Sequence, residues 1–165
     1  MISHNLQDAI NEQIKYELYS AYMYLAMAAY CSDRNLTGFA KWMRMQAQEE
    51  VGHAMRFYDF LIERGGRVVL QPIDQPSAEY GTALDVMESS LEHERFVTSR
   101  IDALYDLALE ENDRPAQVQL QWFITEQVEE ENSIDEIVQR MKTFGTDGPA
   151  LLMLDSQLGS RTTAE

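Results

Sequence analysis

The sequence predicts an all-α fold: a four-helix bundle with a long crossover between helices two and three, then a short fifth helix. Three observations lead there. Four long segments without internal proline repeat apolar residues at steps of three and four, the period of a helix with one buried face. The connections are short except for one of about seventeen residues, Gly65 to Gly81, which holds Pro72 and Pro76; a compact domain needs such a link only to run from end to end. Each stripe is also broken near its middle by polar side chains, at matched depth in both halves of the chain.

The first helix is expected over about Asn5–Ser32, with Ile10, Ile14, Glu17, Ala21, Tyr24 and Ala28 on one face. Ser32-Asp33-Arg34-Asn35 reads as a turn short enough to return the second helix antiparallel. That helix, within Leu36–Arg64, presents Phe39, Met43, Gln46, Glu50, His53, Phe57 and Phe60, and Gly65-Gly66 ends it. In the crossover, Val68-Val69-Leu70 is a short β-favouring run. A linker between two domains is the weaker reading, because neither half could bury its stripe alone. The third helix, about Thr82–Glu111, carries Met87, Leu91, Glu94, Thr98, Ile101, Tyr105 and Ala108. After the turn Asn112-Asp113-Arg114, Pro115 opens the fourth, which runs to about Phe144 with Leu120, Phe123, Gln127, Glu130, Ile134, Ile137 and Met141. Residues 147–158 form a fifth helix too apolar to sit free in water, and 159–165 read as a frayed tail. The whole is one domain, 1–165, with the bundle over about 5–144.

Composition narrows the function. Twenty-eight acidic against 13 basic residues give a net charge of −15, which disfavours nucleic acid and favours cations. The single cysteine, Cys31, excludes an intramolecular disulfide and a CxxC metal knuckle and is expected to be a buried, inert thiol. The first residues lack a basic segment followed by an apolar run, and no apolar stretch reaches membrane-spanning length, so a cytoplasmic protein without a membrane partner is expected.

The four interruptions carry the chemistry. They are Glu17; Glu50 with His53; Glu94; and Gln127 with Glu130. Glu17 and Glu50 lie 33 residues apart, as do Glu94 and Gln127, so the chain reads as two helical hairpins of equal reach. Glu50 and His53, three apart, are stacked neighbours on one helical face. No Lys or Arg shares these stripes nearby, and the fourth helix has none from Pro115 to Gln139 although Glu126, Glu129, Glu130 and Glu131 crowd there. Buried carboxylates without a basic partner require protons or metal ions. Oxygen-rich ligands with one imidazole suit iron or manganese better than structural zinc.

Asn11-Glu12-Gln13 with Glu17-Leu18-Tyr19-Ser20, Glu49-Glu50-x-x-His53-Ala54, Glu94, and Gln121-Trp122-Phe123 with Glu126-Gln127 and Glu129-Glu130 together resemble the bacterial non-haem ferritins over about residues 5–158. The resemblance implies a hollow shell of 24 subunits that oxidises Fe(II) with dioxygen or hydrogen peroxide and stores ferric mineral. It implies that Glu17, Glu50 and His53 hold one iron, and that Glu50 bridges to a second held by Glu94 and Glu130. By the same resemblance Gln127 would orient a ligand or oxygen species, and Tyr24 matches a tyrosine able to supply an electron. Glu49, Glu126 and Glu129, with Glu130 shared, match a third iron site.

Departures from related families sharpen this expectation. Bacterioferritins and many di-iron oxidases repeat Glu-x-x-His in the second hairpin, where this chain has Gln127-x-x-Glu130. Val51 replaces the haem-ligating methionine of bacterioferritins, so haem is not expected. One cysteine excludes the paired CxxC motifs of a rubrerythrin, and Dps-type miniferritins lack the fifth helix. Trp122 and the nine methionines are expected to pack rather than react, and His4 and His93, without ligand-spaced partners, to be solvated. The competing reading is a carboxylate-lined helical scaffold that binds divalent cations without oxidising them.

Overall fold

In the computed structural model, described for residues 1–162, the chain forms α1 (His4–Asp33), α2 (Thr37–Glu63), α3 (Ala83–Glu110), α4 (Arg114–Phe144) and α5 (Gly148–Gly159). Most helix ends are closed by residues next to them in the chain. Ser3 caps α1 by accepting from the Leu6 amide at 3.0 Å. Thr82 and Asp85 form a reciprocal capping box on α3. Asp113 caps α4 through the Ala116 amide at 3.0 Å and is itself gripped by both Arg64 nitrogens, at 2.8 and 2.9 Å. The first three helices close with paired amide-to-carbonyl bonds around a left-handed residue: Asn35 (φ 59°), Gly65 (φ 70°) and Asn112 (φ 55°).

Side-chain pairs fix the topology. Along α1, Ser3, Glu12, Tyr24 and Tyr30 meet Glu111, Arg100, Glu94 and Gly81 in turn, so α1 and α3 run antiparallel. Gln46 meets Glu130 while Phe57 stacks on Phe123 at 3.9 Å, so α2 and α4 are also antiparallel. Helices α2 and α3 are therefore parallel, which is why a long crossover is needed. That crossover has no strand; Val68-Val69-Leu70 stays irregular. Buried Asn11 supplies what a paired strand would, donating to the Arg67 carbonyl at 2.9 Å and accepting from the Val69 amide at 2.8 Å.

The stripes bury two apolar cores rather than one. One gathers Tyr24, Met27, Phe39, Met43, Met87, Ile134 and Met141. The other gathers Ile10, Ile14, Phe57, Val97, Ile101, Leu120 and Phe123. On every long helix the boundary falls at the polar interruption, so the two cores sandwich one polar layer. Helix α5 closes the first core with Leu154 and Leu158. The Asp155 carboxylate accepts from the Gly38 and Phe39 amides at 2.9 and 3.0 Å, capping α2, whose own N-cap Leu36 has no side-chain acceptor. Gly38 permits this approach, since a Cβ there would meet the Asp155 carbonyl oxygen at 1.7 Å. Phe144, Leu152 and Met153 remain 69–75% exposed. Among the described residues no helix is long and apolar enough to cross a membrane. The expected tail is corrected in part: α5 includes Gly159, and Arg161 folds back onto α2; residues 163–165 lie outside the described residues.

Candidate metal centre

All four long helices contribute to the polar layer. Glu17, Glu50, His53, Glu94, Gln127 and Glu130 are buried. They sit at the same depth because each breaks its stripe where the two apolar cores meet. Glu17, Glu50 and His53 bring one ligand atom each to within 4.8 Å of one another, and so do His53, Glu126 and Glu130. The imidazole stands between the two groups, with Nδ1 3.3 Å from Glu50 Oε2 and Nε2 3.9 Å from Glu126 Oε1. Its edges rest on Trp122 and Phe123, so Trp122 packs as expected.

Neutral donors hold the carboxylates from outside the cluster. Gln13 Nε2 donates to Glu17 Oε1 at 2.8 Å, and Gln46 Nε2 to Glu130 Oε2 at 2.8 Å. Tyr24 donates its phenol to Glu94 Oε1 at 2.5 Å, and Gln127 Nε2 donates to Glu94 Oε2 at 3.2 Å. Gln13 and Gln46 were not singled out from sequence as functional. Their signal was available, since each lies four residues before a stripe glutamate and so one turn above it on the same face.

What the donors leave over is more informative. Glu17 Oε2 and Glu50 Oε1 are buried and have no hydrogen-bond partner among the described residues. No Lys or Arg makes an ion pair with Glu17, Glu50, Glu94 or Glu130 there. Burial accordingly raises the carboxyl pKa of all four. Glu17 is raised chiefly by burial, and Glu50 well above its ordinary value by burial and by the charges of Glu94, Glu17 and Glu130. Burial takes Glu94 to about 7 against the opposing bonds from Tyr24 and Gln127. Burial and Glu94 together take Glu130 to about 7. The Tyr24 phenol is likewise pushed well up by burial and then by Glu94, so it stays protonated. Without a cation the layer holds protons, and a divalent ion entering it would expel them. Two buried carboxylates, each with one orphaned oxygen, grouped with one imidazole fit a hard or borderline cation.

The remaining sequence candidates fall differently. Glu126 joins His53 and Glu130, half-buried. Glu49, also half-buried, is gripped by Arg161 NH2 at 3.0 and 2.8 Å. Glu129 is exposed and outside both groups. His4 is exposed as expected, but His93 is not solvated: Ser20 Oγ lies 2.6 Å from its Nε2, and Tyr19 and Phe96 flank the ring. Burial lowers its pKa to about 4. Its partner is 73 residues away in the chain, beyond any ligand-spacing rule. Cys31 is buried as anticipated, its thiol pushed up to about 11.

Known proteins resemble this chain over almost its whole length. The ferritin-like domain family matches residues 7–144. A bacterial non-heme ferritin of Bacteroides fragilis is 45% identical over 161 residues, covering 98% of this chain and all of the relative. One of Staphylococcus aureus is 34% identical over 165 residues, covering 100% of this chain and 99% of its own. A crystal structure of an open-pore ferritin from the hyperthermophilic archaeon Archaeoglobus fulgidus superposes with a TM-score of 0.97 at 46% identity, covering 98% of this chain and all of that one.

Proposed function

The chain belongs to the ferritin family, and from that premise we propose that it oxidises Fe(II) at a two-metal centre and stores the ferric product inside a shell of 24 copies. The observation that supports the oxidising site most directly is the pair of orphaned oxygens, Glu17 Oε2 and Glu50 Oε1, buried beside His53 with no Lys or Arg partner among the described residues. Charge counting favours two ions: four carboxylates, from Glu17, Glu50, Glu94 and Glu130, balance two divalent cations. Glu17, Glu50 and His53 would hold one, and Glu50, Glu94 and Glu130 the other. Both ions are substrate. Each gives up one electron; dioxygen takes the two with two protons to become hydrogen peroxide, or peroxide takes them to become water.

The chain's own residues do the rest. The bonds from Gln13, Gln46 and Gln127 hold the carboxylates in place before iron arrives, so little reorganisation accompanies binding. Tyr24 holds Glu94 through its phenol, and in this reading it can also supply an electron to the oxygen chemistry. Oxidation raises the charge of two ions against an unchanged ligand set. That excess favours movement outward, toward Glu126 beside His53 and Glu130, with Glu49 and Glu129 as the further carboxylates that would complete a third site. No haem enters the scheme. The exposed Phe144, Leu152 and Met153 on and beside α5 supply apolar surface for assembly.

The test is stopped-flow Fe(II) oxidation in air, followed by ferric absorbance, with light scattering on the product. The parent should oxidise two irons per chain rapidly and end as a large soluble iron-loaded particle. His53→Ala and Glu50→Ala should lose the rapid phase while staying assembled. Parent rates in either variant would refute the site, and binding without oxidation in the parent would return the chain to a cation-binding scaffold.

A further inference from the structure

One cation of this chain already stands at the rim of the metal layer, and it comes from an unexpected place. Arg161 lies two residues past α5, yet its NH2 bonds both Glu49 oxygens, at 3.0 and 2.8 Å. Its NH1 donates to Gln46 Oε1 at 2.5 Å. The other end of that amide, Nε2, donates to Glu130 Oε2 at 2.8 Å. The guanidinium also covers the Trp42 ring at 4.9 Å. A continuous relay therefore runs from the end of α5 through Arg161 and Gln46 to Glu130. The pairing fixes Gln46 in one orientation, because its carbonyl oxygen must face Arg161 and its amine must face Glu130.

We propose that Arg161 is a displaceable counter-cation of the metal site. It occupies the Glu49 carboxylate until a third ion arrives. This rests on the iron-site reading given above. The Glu49 carboxylate cannot give both oxygens to Arg161 NH2 and bind a metal ion fully at once, so the third ion competes with Arg161. The two innermost positions have no such competitor: among the described residues no Lys or Arg pairs with Glu17, Glu50 or Glu94. Arg161 thus ranks the sites, leaving the inner pair to fill first and keeping the outer position weak enough for an ion to pass through. Arg161 and Glu49 are 26% and 33% exposed, so the guanidinium can swing into solvent when displaced. It is a positioning residue, acting through Glu49.

The experiment is calorimetric titration of the metal-free assembled protein with Zn(II), which binds such ligands without redox chemistry. The parent should bind two ions per chain tightly and a third more weakly. Arg161→Gln should tighten the third about fivefold, the scale of one partly exposed ion pair, with the first two changed little. Arg161→Lys, which keeps the charge, should resemble the parent, and the Arg161→Gln tightening should vanish when combined with Glu49→Gln. A third-ion affinity unchanged or weakened in Arg161→Gln overturns the inference, as does tightening that survives in the double variant. If Arg161→Gln disassembles and Lys restores only assembly, the residue is structural and the inference also falls. Fewer than two tight ions in the parent refutes the site reading itself and carries this inference with it.

Discussion

Replacing Glu94 by Gln should make the metal-free protein more stable at pH 8. Burial raises this carboxyl from 4.5 to about 7. The folded state thus keeps its proton at pH values where the unfolded chain has lost it. That contribution is fully present below about pH 4.5 and is lost as pH rises through about 7. A displacement of this size corresponds to about 3 kcal/mol. Gln has the same shape and no charge, so it removes that penalty. It also costs something: its Oε1 can accept from Tyr24, but its amine then faces the amine of Gln127, which loses one of its acceptors. One such bond is worth about 1 kcal/mol. The net gain should be about 2 kcal/mol at pH 8, or roughly 1 M in a urea midpoint. At pH 5 Glu94 keeps its proton in the folded protein, so the gain should largely disappear. The assay is urea denaturation of chelator-treated parent and variant at both pH values. A variant no more stable than the parent at pH 8, or equally improved at pH 5, would refute the claim that an uncompensated buried charge sits there.

Deleting residues from Asp147 onward removes Leu154 and Leu158 from the core and the Asp155 cap from α2, so assembly should be weakened or lost; light scattering that matches the full-length chain would contradict this. Glu126→Ala with Glu129→Ala should preserve the first fast oxidation of two irons per chain while changing the iron-to-oxygen ratio over later additions. Oxygen consumption recorded with ferric absorbance checks that, and traces indistinguishable from the parent would return both residues to a solvated face.

The helices and the polar layer were legible in the sequence because their signals are local. A carboxylate at a stripe position is visible within two turns, and the 33-residue spacing puts Glu17 and Glu50 at the same depth. The turns are legible too, although nothing in their residue order alone requires the left-handed backbone at Asn35 and Asn112. What the sequence hid lies between distant segments. Asp155 caps a helix 117 residues earlier, and Gly38 is small because that cap comes so close. Periodicity cannot reveal either. Arg161 sits in a short polar stretch that reads as a fraying end, and only the docking of α5 brings it to Glu49, 112 residues away. His93 looked solvated because its partner, Ser20, lies on another helix.

A two-metal centre built by all four helices is tested most directly by diffraction at the iron absorption edge from crystals soaked anaerobically in Fe(II). Two anomalous peaks per chain should lie inside the bundle, one within reach of Glu17, Glu50 and His53 and the other within reach of Glu50, Glu94 and Glu130. Peaks confined to the outer surface, with none between the helices, would contradict it.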